Sequence, residues 1–184
     1  MRRRRVHNRY RLDYLPLTVK ETVINIFRKA VLIVVFGLFS LSASADLDTG
    51  DASPRLDIEL IGGNVLSTGQ FKGKVVVYMI WATWCPICVH EMPEFQKVYD
   101  RYKPRGLEIV ALSLDDDAGK VASFWRSNGY TFPVAMRSDE ARQGFGTIKG
   151  TPTLFIVDRK GTVAYKYLGG MPDGELEQRI KALL

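Results

Sequence analysis

Only two cysteines and two histidines occur among 184 residues. A four-ligand zinc site would have to join Cys85 and Cys88 to His90 and to His7 near the start of the chain, which argues against one. Haem attachment through Cys-x-x-Cys-His fails on spacing, because Val89 follows Cys88 and His90 comes one residue late. Basic surplus is also missing where it would matter. Residues 1–45 carry nine Lys/Arg against two acids, whereas residues 46–184 carry 17 against 18, so the net charge of +6 belongs to the leader. A nucleic-acid surface on the remaining domain is therefore excluded as an expectation. No repeat and no low-complexity tract follows residue 54.

Long apolar runs are scarce as well. The segment Ala30–Leu41 is 12 residues long and the charge-free span Ala30–Ala45 is 16, short of the roughly 20 that cross a bilayer comfortably. Basic residues up to Arg28-Lys29 precede it, and Ala43-x-Ala45 before Asp46 fits a signal-peptidase site. Residues 1–45 thus read as a signal peptide or N-terminal membrane anchor, with export to the periplasm and membrane contact through this segment alone. Asp46 to Pro54 is polar without period and reads as a linker, so the domain is expected over 55–184.

What the domain does have is Val75-Val76-Val77-Tyr78-Met79-Ile80-Trp81, an apolar run without alternation that ends in Trp84-Cys85-Pro86-Ile87-Cys88. Such a run fits a central strand buried on both faces. After it, apolar residues at Ile87, Cys88, Met92, Phe95, Val98, Tyr99 and Tyr102 follow one helical face, with Pro86 in the first turn. Both cysteines stand where a strand gives way to a helix, and a helix N-terminus favours a thiolate. A purely structural disulfide stays open, although a bridge over two intervening residues removes little chain entropy. The peroxidase pattern Pro-x-x-x-Thr-x-x-Cys is not met, Ala82 standing at its Thr position.

Along the rest of the chain, Leu56–Leu60 and Val65-Leu66 around Gly62-Gly63-Asn64 read as a hairpin, and Leu107–Leu114 as a second buried strand. Asp115-Asp116-Asp117 reads as an N-cap cluster for a helix over Ala118–Asn128, since calcium-loop spacing is absent. A strand at Pro133–Met136, a short helix near Glu140–Phe145, the stretch Gly150–Asp158 as a further strand region, a last strand over Thr162–Tyr167, and a helix over Glu175–Leu184 complete the chain. This order predicts an α/β fold with a central mixed sheet and helices on both faces, in which helix-bearing crossovers link parallel strands.

Trp81-Ala82-Thr83-Trp84-Cys85-Pro86-Ile87-Cys88, Glu91-Met92-Pro93 and Gly150-Thr151-Pro152-Thr153 together resemble the exported thioredoxin-like proteins of the TlpA, ResA and CcmG group. The likeness covers roughly Leu56 to Leu184. It implies a thioredoxin-like fold with an N-terminal β-hairpin extension and an inserted βα unit, a redox-active Cys85–Cys88 disulfide with no other cofactor, and a cis Pro152 against it. It further implies thiol–disulfide exchange with client protein disulfides, such as apocytochrome c haem-site cysteines or a copper-handling protein, and recharging by a membrane donor of the DsbD or CcdA kind. Cys85 is the expected attacker and Cys88 the resolving thiol. Glu91, three residues on, would be turned inward to trade protons with Cys88. Trp84, Pro86 and Thr151 are the expected partner contacts. Pro86-Ile87 departs from the group, which commonly has proline second; Cys-Pro-x-Cys is reminiscent of the oxidase DsbA and of ScsB and ScsD proteins. A dithiol oxidase and a non-enzymatic module holding a metal such as Cu(I) are the competing readings.

Overall fold

The structure is a computed structural model that describes residues 46–184; the expected leader, with its apolar run and Ala43-x-Ala45 boundary, lies outside the described residues. Seven strands and four helices follow one another: β1 (Asp57–Glu59), β2 (Val65–Ser67), β3 (Val75–Trp81), α1 (Pro86–Tyr102), β4 (Leu107–Ser113), α2 (Ala118–Asn128), β5 (Val134–Met136), α3 (Asp139–Phe145), β6 (Thr153–Val157), β7 (Val163–Leu168) and α4 (Glu175–Leu183). β1 and β2 form the expected hairpin, and the other five make one mixed sheet in the order β5-β4-β3-β6-β7.

β3 is central and all seven of its residues are buried, as an unalternating apolar run requires. Its odd positions, Val75, Val77, Met79 and Trp81, pack with Met92 and Phe95 of α1, Val121 and Trp125 of α2, and Leu176 and Ile180 of α4. Its even positions, Val76, Tyr78 and Ile80, pack with Ile58 of the hairpin and with Ala141 and Phe145 of α3. Three helices therefore cover one face, and the hairpin with one helix covers the other. On the first face, Glu177 of α4 accepts hydrogen bonds from the Tyr102 hydroxyl at 2.6 Å and Arg101 Nη1 at 2.7 Å, tying α4 to α1. These bonds, with one from Lys181, hold its carboxyl down at about 2.

Two expectations are corrected. Crossovers through α1 and α2 do link parallel strands, β3 to β4 and β4 to β5, but β6, reached through α3, runs antiparallel to β3. Met136 at the end of β5 and Thr153 at the start of β6 both lie level with the last residues of β3, so the chain leaves and re-enters the sheet at the same end, with α3 packed over the face between them. Residues 46–54 are also no free linker. Gly50 N–H donates to Val163 O at 2.9 Å, Val163 N–H to Asp51 O at 2.9 Å and Ser53 N–H to Gly161 O at 2.8 Å, while Leu47 is buried. This strip covers the outer edge of β7, and it does so through backbone groups, which leave no apolar period to read.

No helix among the described residues is long and apolar enough to cross a membrane.

Candidate active site

β3 ends at Trp81, and Ala82–Trp84 turn the chain into α1 with Cys85 as its N-cap and Pro86 in the first turn. Proline suits that position because its missing N–H would have found no partner in the helix. Cys88 N–H donates to Cys85 Sγ at 3.2 Å, and the two residues form a disulfide with Cα atoms 5.3 Å apart. Cys88 is wholly buried, while Cys85 keeps 4% of its surface open. An incoming sulfur therefore has one place to attack. Around the disulfide the surface is apolar: Trp84 is 60% exposed and Ile87 50% exposed, with Pro86 open beside them.

The turn that carries Cys85 is pinned from β4 by Asp115. Its carboxylate accepts the Thr83 N–H at 2.8 Å, the Thr83 hydroxyl at 2.5 Å and the Ser113 hydroxyl at 2.7 Å, with Lys120 Nζ 3.7 Å away. Burial pushes this carboxyl up, but the bonds from Thr83 and Ser113 and the charge of Lys120 outweigh it and hold it below its usual range. The N-cap reading of the acidic triplet is thus right only for Asp117, whose Oδ1 accepts from Gly119 and Lys120 N–H. Asp115 is a residue the sequence reading missed. Its signal was positional: β3 and β4 are parallel with Trp81 opposite Ser113, so two residues further on Thr83 and Asp115 must face each other.

Glu91 lies on the buried side of α1, one turn beyond Cys88, and is 9% exposed. Its Oε1 accepts the Met171 N–H at 2.6 Å from the loop between β7 and α4, and its buried Oε2 has no hydrogen-bond partner among the described residues. Burial pushes the carboxyl up; the Met171 amide opposes this, Glu94 adds to it and His90 draws it down. The inward orientation expected on α1 is what the structure has, and the loop partner was not foreseen.

Thr151–Pro152 is a cis peptide, as the resemblance implied. Pro152 is buried and directly precedes β6, whose Thr153 lies opposite Ile80 of β3, so the turn shares the sheet edge from which the cysteines emerge. Thr153 Oγ1 donates to Gly150 O at 2.7 Å, and Gly169 N–H donates to Pro152 O at 2.8 Å. Thr151 is half-buried and Leu168, opposite Thr153, is 57% exposed. Of the residues the sequence singled out, Cys85, Cys88, Glu91, Trp84, Pro86, Thr151 and Pro152 all stand at this end of the sheet.

A thioredoxin-like sheet with a Cys-x-x-Cys disulfide at the mouth of its first sheet-packing helix defines a thiol:disulfide oxidoreductase. The chain belongs to the Redoxin family, whose model matches residues 48–184. It is 31% identical over 166 residues to the thiol-disulfide oxidoreductase ResA of Bacillus cereus, an alignment covering 86% of this chain and 95% of that protein. Among solved structures it is similar to a thiol:disulfide interchange protein of the thioredoxin family from Chlorobium tepidum TLS, with a TM-score of 0.69 and 26% identity over 76% of this chain and 99% of the other. StoA from Bacillus subtilis is a second such structure, with a TM-score of 0.59 and 27% identity over 68% of this chain and 96% of that one.

Proposed function

We propose that the protein is a periplasmic reductase of specific client disulfides, and that its clients are apocytochrome c haem-site cysteines or a copper-handling protein. In the reduced enzyme, the Cys85 thiolate attacks a client disulfide; the Cys85–client bond forms and one client thiolate leaves, taking a proton. Cys88 then loses its proton to the Glu91 carboxylate and attacks Cys85 Sγ. The second client thiolate departs with a proton, the client is reduced by two electrons, and Cys85–Cys88 is left oxidised. A membrane donor of the DsbD or CcdA kind returns the two electrons. The N-terminal apolar segment fits export and a place beside such a donor.

The observation that carries the direction of flow is the chemistry of the residues between the cysteines. A strongly oxidising dithiol needs its attacking thiolate stabilised far beyond what a helix N-terminus gives. Pro86 has no N–H and Ile87 no side-chain donor, while a Glu91 carboxylate on the buried face of the same helix opposes a second thiolate. The expected reduction potential of the isolated domain is therefore closer to the thioredoxin value of about −270 mV than to the DsbA value of about −120 mV. A potential near the latter, with a Cys85 thiolate that persists at the acidic extreme of its ultraviolet titration, would sink the reductase assignment. In the same assay Glu91→Gln is expected to lower the apparent pKa of Cys88 and to slow client turnover roughly 100-fold.

A further inference from the structure

Two adjacent glycines in the loop between β7 and α4 do different things. Gly169 has φ +94°, in the left-handed region, and a Cβ placed on it would meet nothing within 4 Å. It is a glycine for the sake of the turn. Gly170 lies outside that region, yet a Cβ there would fall 2.9 Å from Ile87 Cγ2 and 3.1 Å from Glu91 Oε1. It is a glycine for the sake of space. The next residue supplies the 2.6 Å amide bond to Glu91, and Gly174 N–H donates to Glu94 Oε1 at 3.2 Å. Two carboxylates at i and i+3 of α1 thus each receive a loop amide.

We infer that Gly170 and the Met171 amide form a positioning clamp for the exchange reaction: the missing side chain at 170 lets the loop close on α1, so that the Met171 N–H fixes the orientation of the Glu91 carboxylate while the same loop seats Ile87 beside the disulfide. The inference rests on the reading of Glu91 as the proton partner of Cys88. The charges acting on Glu91, those of Glu94 and His90, both stand on α1, and the loop packed against it contributes the Met171 amide dipole. A hydrogen bond to the charged form favours that form. Opening the clamp removes that bond and admits water beside Glu91, two changes that act on its titration in opposite senses, and it frees the carboxylate to turn away from Cys88. Because Ile87 is half exposed, a client pressing on it leans on the loop that holds Glu91.

Carbon-13 NMR of the Glu91 carboxyl in the full oxidised domain, wild type against Gly170→Ala, tests this. The Glu91 titration is expected to move in Gly170→Ala, and resolution of a preformed Cys85 mixed disulfide to slow roughly tenfold. Gly129→Ala, strained at the end of α2 where φ is +70°, is expected to lower stability and leave the Glu91 titration in place. An unchanged Glu91 titration in a folded Gly170→Ala protein overturns the clamp. Should that variant not fold, the wild type decides: the Met171 amide shift is expected to follow the Glu91 titration and to lose that dependence in Glu91→Gln, and an amide indifferent to it overturns the inference. A clamp upheld by both titrations, alongside a Glu91→Gln enzyme that resolves mixed disulfides at the wild-type rate, removes the proton-transfer reading of Glu91 and not the clamp.

Discussion

Replacing Cys85 by serine is expected to reduce dithiol-dependent insulin reduction to background, while Cys88→Ser accumulates stable mixed disulfides with client proteins. The asymmetry follows from access. Cys88 is wholly buried and Cys85 alone keeps an opening, so a client sulfur that becomes linked to this protein is linked at Cys85. With Cys88 removed, no second thiol is in place to release it. Non-reducing gels and mass spectrometry of the linked peptide read the outcome directly. Trapping by Cys85→Ser instead would reverse the two roles, and no trapping by either variant, with no dithiol activity in the wild type, would falsify the enzyme mechanism.

The largest effect on stability is expected at Asp115. Its side chain is 3% exposed and accepts the Thr83 amide, the Thr83 hydroxyl and the Ser113 hydroxyl. Asp115→Ala strands those three donors at the turn that leads into the cysteines, at a cost of about 2–4 kcal/mol. Urea unfolding at pH 7 measures it, and an unchanged midpoint would mean that the turn is held by other contacts. The effect depends on pH in a definite sense. The folded-state carboxyl lies below the ordinary value of 3.8, so its contribution is complete above that value and is lost as pH falls through the lower native one. The gap between wild type and Asp115→Ala is therefore expected to narrow in acid. A slower exchange rate in the same variant at pH 7 would tie the turn's rigidity to the placement of Cys85.

The parts of this molecule that were legible in its sequence are those written in local pattern. β3 reads as buried because seven apolar residues stand in a row, and α1 because Cys88, Met92, Phe95, Tyr99 and Tyr102 repeat at helical spacing. The cysteines were visible as the chain's one pair, Glu91 by its spacing from Cys88 on the helical face and by the resemblance, and Thr151-Pro152 through the resemblance. What escaped was written in geometry between distant segments. The direction of β6 depends on the end at which the connection from β5 re-enters the sheet. The strip at residues 47–53 is held by backbone bonds to β7, which any polar side chains allow. Asp115 looked like its two acidic neighbours, and only the parallel register of β3 and β4 separates it from them. Gly170 gave no sign at all, because the space it leaves open is filled by α1, 79 residues earlier at Glu91.

Of the three tryptophans, Trp81 and Trp125 are sealed in the core and Trp84 stands largely in solvent, next in sequence to Cys85. A disulfide quenches the emission of an indole beside it, and a dithiol does so far less. The emission of the exposed ring is expected to change as the pair opens. Steady-state fluorescence of unlabelled protein is therefore expected to follow how many molecules carry electrons, in real time and without consuming them.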